Sequence, residues 1–253
     1  VTTRKVSCLV GIGMIAIRKS KFEDAIKIFE QAKELSGDDA MVNNVLKEAY
    51  RIKEDLETSR GIIKQLDALA DDKKEVAYDA LDPKWKGYPE VCAWRHKHAF
   101  KKESSGKDLA IFTGISWEEW NPDSAKSGIG GSEEAVINMA EQLAILGWNV
   151  TVYGTHGVEP KKYGDVWYKP YWDFSSTEPV DVFVAWRDPA IFDYEINAKR
   201  KFLWLHDTIP EGAIMVGGRI DKIDKIMVLS DYHRSLYPHI ADAKILKTGN
   251  GIN

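Results

Sequence analysis

Cysteine is scarce: Cys8 and Cys92 are the only two among 253 residues. They lie far apart and form no disulfide framework, so a reducing cytosol is the expected compartment. No tract of one charge sign stands out against a net charge of −4, which argues against a nucleic-acid-binding arm or basic reading face. The apolar stretch Val6 to Ile17 is about twelve residues, short of the roughly twenty that span a bilayer. Arg4 and Lys5 precede it as the charged region of a signal peptide would, but Arg18, Lys19 and Ser20 follow in place of a small-x-small cleavage site. A buried helix is therefore expected there. Hydrophobic residues at 44% and charged residues at 29% exclude a disordered tail and fit a globular chain of one large domain or a domain with an appendage.

What is present begins with helices. Over residues 1–80, Phe22, Ala25, Ile26, Phe29 and Ala32 recur at spacings of three and four with charges between them, the mark of amphipathic helices. With Gly13 in the preceding helix, Ala25, Phe29 and Ala32 match the tetratricopeptide pattern, in which a glycine lets two helices approach. The match is one repeat long, and a plain helical hairpin accounts for the same spacing. Such an arm points to packing, self-association or a protein partner, with no chemistry of its own.

Residues 81–107 read as a connecting segment, punctuated by Asp82-Pro83, Gly87 and Pro89 and ending in the linker-like Ser104-Ser105-Gly106. Cys92, His96 and His98 have a metal-like look, but no fourth ligand lies nearby, and no metal site is expected. From Asp108 to Asn253 the pattern changes. Short β-rich runs (Leu109–Thr113, Asn149–Tyr153, Asp181–Trp186, Lys201–His206, Lys225–Leu229, Lys244–Leu246) alternate with a clear helix over Ser132–Leu146 and shorter helical candidates at Ile191–Ala198 and Tyr232–Ile240. Alternation of this kind predicts an α/β fold, a Rossmann-like doubly wound parallel sheet. Ligands of such sheets sit at the carboxyl ends of the strands.

The strongest local signal is Gly128-Ile129-Gly130-Gly131-Ser132-Glu133 at the start of that helix. Glycines admit a ligand close to the backbone, and the free amides of a helix start favour an anion. A dinucleotide fingerprint is disfavoured, because a long loop (residues 115–127) separates these glycines from the strand, and the second strand ends in Tyr153-Gly154-Thr155 with no acid for a ribose. A P-loop is disfavoured because no Gly-Lys-Ser/Thr follows. Glycines that merely permit close helix–strand packing remain an alternative. Other candidates at strand ends are Arg187, His206, Asp207 and Ser230; Ser230 is equally placed to cap a helix. Trp117 and Glu118 in the long loop could present an aromatic face and a carboxylate to a ligand, or simply anchor the loop.

The order of a long loop, Gly-Gly-Ser-Glu at a helix start, and then Ala144-Ile145-Leu146-Gly147-Trp148-Asn149-Val150-Thr151-Val152 resembles the amino-terminal domain of GT-B glycosyltransferases of the family 4 type. Val228-Leu229-Ser230 and Asn250-Gly251-Ile252-Asn253 resemble two later segments of that domain, although Asn253 stands where the family has aspartate. The resemblance covers a little over half the chain. It implies that Gly130, Gly131, Ser132 and Glu133 close over the donor's diphosphate and leaving sugar, and that His206 is the catalytic-site histidine. It places Asp207, Ser230, Asn250 and Gly251 at the cleft, and Trp117, Glu118 and Arg187 stand beside them as residue-level candidates for the acceptor side or cleft. It also implies a nucleotide-sugar donor, a glycan, lipid or protein acceptor, retention of anomeric configuration, and no metal or other cofactor. The nucleotide would be held mostly by a second GT-B domain that these residues do not supply. The enzyme would be cytoplasmic, either free or peripheral to the inner face of a membrane. A non-catalytic sugar-binding or scaffold protein, and an NAD-dependent nucleotide-sugar enzyme, are the rival readings.

Overall fold

A computed structural model describes residues 2–249. Contacts divide the chain after Ala70. The first unit is three helices, α1 (Thr2–Arg18), α2 (Phe22–Ser36) and α3 (Ala40–Asp67). Its core is the apolar stripe of α2, in which Ala25, Phe29 and Ala32 are fully buried; Ala25 and Phe29 pack with Ala16, Leu46 and Ala49, and Ala32 with Val6 and Val42. Gly13 is required here, because any Cβ on it would collide with the Phe29 ring. Asp39 caps α3 by accepting from the Met41 and Val42 amides at 2.9 and 3.1 Å, satisfying donors a helix start leaves open. Among the described residues no helix is long and apolar enough to cross a membrane.

The second unit, which begins at Asp71, is an α/β layer structure around one sheet. The strands are β1 (Asp108–Phe112), β2 (Asn149–Gly154), β3 (Lys161–Tyr163), β4 (Val166–Pro170), β5 (Val180–Trp186), β6 (Ala198–Trp204), β7 (Lys225–Val228) and β8 (Ile245–Lys247). Their spatial order is β3-β4-β2-β1-β5-β6-β7-β8, and every pairing is parallel except β3 with β4. Strand order reverses beside β1, the place where crevices form in open α/β sheets.

Because alternate residues point to opposite faces, each strand feeds two cores. Leu109, Ile111, Val150, Val152 and Val184 pack on α7 (Gly131–Ile145) through Val136, Ile137 and Ala140. Ala110, Phe183, Ala185, Leu203 and Ile226 pack on the other side against Phe192, Ile214, Ile223 and Tyr237. The connections carrying that second layer are short: α8 (Glu211–Met215), α9 (Arg219–Lys222) and α10 (Asp231–Ser235).

Residues 71–107 behave differently from an arm's end followed by a linker. They form α4 (Asp71–Asp79), α5 (Pro83–Lys86) and α6 (Pro89–Arg95) and belong with the sheet. The Tyr78 hydroxyl donates to the Trp172 carbonyl at 2.6 Å, and Arg95 pairs with Glu178 at 2.6 Å. Ser104 bonds to Asp181, while the Ser105 amide and hydroxyl donate to Asp108. Cys92, His96 and His98 do not converge: Cys92 donates to the Lys86 carbonyl, His96 lies against Tyr194, and His98 stacks on Trp94.

Three element expectations need correcting. The helix expected at Ile191–Ala198 is one 3-10 turn, Pro189–Asp193, after which β6 has begun by Ala198. The expected helix at Tyr232–Ile240 is only the short α10. The β3–β4 hairpin was not expected, since Lys161 and Lys162 at its edge are exposed and break any apolar alternation.

Candidate functional site

The carboxyl ends of β1 and β5, the loop after β1 and the glycine loop enclose a cavity of about 440 Å³, lined among others by Trp117, Glu118, Gly130, Glu133 and Arg187. The backbone explains its shape. Gly128 has φ +96°, a conformation that costs glycine little. Gly130 is the N-cap of α7 with no side-chain cap. Glu133 folds back instead, its carboxylate so close to Gly130 that a Cβ there would strike it. The Ser132 hydroxyl donates to the same carboxylate at 2.7 Å, and the acid beside the helix start offsets the dipole's positive end.

Arg187 joins the segments. It follows Trp186 at the end of β5 and has φ +69°, unusual for a side chain other than glycine. Its Nε donates to Asp207, its Nη1 lies 3.4 Å from Glu133, and its guanidinium sits 4.5 Å from the centre of the Trp186 ring. Its backbone amide donates to the Trp204 carbonyl at 2.9 Å. One cation therefore ties the glycine loop, the end of β5 and the loop after β6 together. The Arg187 hydrogen bond holds the Asp207 carboxyl below the usual carboxylate range against its partial burial.

His206 lies just beyond β6, its ring 4.5 Å from that of Trp204. It is half-buried, and its Nε2 is shielded from solvent with no hydrogen-bond partner. Burial, then the nearby Arg187 charge, push its pKa down to about 4, so the imidazole is neutral at physiological pH. Of the expected residues, the cavity gathers Trp117, Glu118, Gly130, Glu133 and Arg187. Asp207 and Ser132 are attached to that set by hydrogen bonds, whereas His206 stands behind it among the tryptophans. Gly131 opens α7 with free space around it. Ser230 serves as the cap of α10, accepting from the His233 amide at 3.0 Å, and is not part of the cavity lining. Asn250 and Gly251 lie outside the described residues.

The cavity also uses groups that pattern reading passed over. Thr113 follows β1, lines the cavity and approaches buried His156, whose Nδ1 lies 2.7 Å from the Trp120 carbonyl. Burial pushes the His156 pKa down to about 4, so this ring is a fixed neutral pin for the loop. The rule that pointed to Arg187 and His206, a polar residue just past a strand's carboxyl end, applied to β2 would have found His156.

The arrangement can bind an anion at the α7 amides, hold neutral hydroxyl groups on Glu118 and beside Trp117, and adjust charge by moving Arg187 between carboxylates. Scans of the chain against protein-family models and against curated proteins found no match, which leaves side-chain geometry as the basis for function.

Proposed function

We propose that this chain carries the acceptor-side lobe of a retaining glycosyltransferase, which moves a sugar from a nucleotide sugar to an acceptor hydroxyl. The observation that carries the reading is Arg187, held by Glu133 of the glycine loop and Asp207 beside His206 at one crevice. Breaking the bond between sugar and diphosphate builds negative charge on the leaving oxygen, and donors aimed at that charge are the largest lever a catalyst has. The open amides at Gly130 and Gly131 are such donors. A diphosphate arriving there displaces the Glu133 carboxylate, and Arg187 exchanges one anion for another without being newly desolvated. His206, uncharged and set behind the cavity beside Trp186 and Trp204, places no cation that would repel the positive character developing at the anomeric carbon. Trp117, fully exposed, and Glu118 offer an acceptor sugar an aromatic face and a hydroxyl acceptor. On this reading a second lobe holds the nucleotide, and the transfer needs no divalent metal.

Gly131→Ala tests the proposal in the complete gene product. No atom lies within 4 Å of the added methyl, so the fold is expected to persist while the methyl obstructs ligand approach. Transfer from a nucleotide-sugar panel should fall roughly a hundredfold, the scale of losing one transition-state donor, with thermal unfolding unchanged. Full activity in the variant, or no consumption of any nucleotide sugar by the parent, overturns the reading and favours a sugar-binding or scaffold protein.

A further inference from the structure

A second cavity, about 570 Å³, opens on the face of the sheet away from α7 and shares no lining residue with the first. Its existence follows from the topology. β2 runs into the β3–β4 hairpin, so no crossover helix of its own covers that face of β1 and β2. Ala110, Thr151 and Tyr153 form the floor, and Tyr78, Phe100 and Asp173 stand around it.

Two polar groups here are left for something other than protein. The Asp173 carboxylate has no hydrogen bond or ion pair among the described residues, although it lines the cavity and is half-buried. Burial raises its pKa in spite of the charges of Lys86, Lys169 and Arg95. The Tyr153 hydroxyl likewise has no partner among the described residues, while Tyr78, by contrast, is satisfied by Trp172.

Charge selects the ligand class. Arg95 is paired with Glu178, and Lys101 with Asp108. What remains in the lining is Glu75, Asp79, Glu159 and Asp173 against Lys86 and Lys169. An anion meets this acidic surplus. A full cation at Asp173 meets Lys86, Lys169 and Arg95. Neutral hydroxyl groups satisfy both: they donate to Asp173 and accept from Lys169 and Tyr153. Phe100, Val158 and Pro160 supply apolar wall for C–H surface. The volume falls within the ordinary range of small-molecule sites.

We propose that this cavity binds a small neutral saccharide of one or two rings, through Asp173, Tyr153 and Lys169. The proposal stands apart from the transferase reading, since neither site borrows a residue from the other.

The test is a titration of the ¹⁵N-labelled chain with glucose, maltose, inorganic phosphate and spermidine, followed by amide shifts. Glucose or maltose should move the amides of Thr151, Tyr153 and Asp173. Asp173→Ala should weaken that binding about tenfold or more, the scale of a hydrogen bond to a charged group. Tyr153→Phe, which keeps the ring and hence the packing, should weaken it several-fold and serves as the readout if Asp173→Ala does not fold. The proposal is overturned if both saccharides leave these amides unmoved. It is equally overturned if phosphate or spermidine moves them instead, if saccharide shifts are confined to Thr113, Glu133 and Arg187, or if Tyr153→Phe binds as the parent does.

Discussion

Arg187 combines two properties that can be separated by mutation. Its backbone sits at φ +69°, where a Cβ costs on the order of 1–2 kcal/mol that glycine avoids. Its side chain carries the ion pairs with Glu133 and Asp207. Arg187→Ala loses the pairs and keeps the strain; Arg187→Gly loses both. The glycine variant should therefore be the more stable of the two by about 1 kcal/mol, measured by urea unfolding. An alanine variant equal to or better than glycine contradicts the strain account. At this scale the sequence was informative about residues that follow strands directly, such as Arg187, because a strand end fixes where the next side chain lies. It was silent on the burial of His156 against Trp120 and on the missing partner of Asp173, since burial and satisfaction arise from segments far apart in the chain.

The element that pattern reading misjudged most is the stretch from α4 to α6. Its ties to the sheet are individual rather than periodic: Tyr78 to Trp172, Arg95 to Glu178, Ser176 to the His96 carbonyl. Proline and glycine punctuation made it look like a linker, although Pro83 and Pro89 in fact open short helices, where the missing amide costs nothing. These ties predict a graded series. Tyr78→Phe removes one neutral hydrogen bond and should cost about 1 kcal/mol. Arg95→Ala leaves the Glu178 carboxylate, only 16% exposed, without its cation and should cost about 3–5 kcal/mol. Denaturant midpoints for the two variants check the order; equal effects mean the Arg95–Glu178 pair is not desolvated in solution. The long helices and the apolar strands β1, β2 and β5 were legible because they bury continuous stripes, whereas the three-residue β3 and the five-residue α10 carry too few positions for any period to register.

For the molecule as a whole, acid sensitivity follows from histidines buried in the neutral form. His96 and His156 are 8% and 4% exposed, and burial pushes each pKa down to about 4. Between about pH 6.5 and 4 the unfolded chain binds protons at these rings that the folded chain refuses, so stability falls as pH falls through that window. Each ring contributes on the order of 3 kcal/mol to the decline, which for these groups levels off below about pH 4. A further loss then sets in through the carboxylates. Burial opposes ionisation of Asp108, but hydrogen bonds from Lys101, Ser105 and Asn149 hold its pKa below the ordinary range, and Lys199 and Ser104 lower that of Asp181 to about 2. His96→Phe, which keeps an aromatic ring between Phe174 and Tyr194, should flatten the upper part of the profile. Unfolding midpoints constant from pH 6.5 to 4 in the parent contradict the burial of neutral imidazoles.

The polar hairpin edge that hid β3 from the sequence pattern has a consequence of a different kind. A large parallel sheet is a template on which a stray strand from another molecule can grow, and its exposed rim is where fibrils begin. Here that rim on the β3 side is three residues long, with Lys161 and Lys162 exposed along it. Lys161 is drawn sideways to Asp123 at 3.0 Å and Lys162 towards Asp165 at 3.4 Å. A foreign strand arriving there would have to bury two ammonium groups for three residues' worth of pairing. The same short, charged strand that contributes little to the fold thus acts as a guard against its polymerisation.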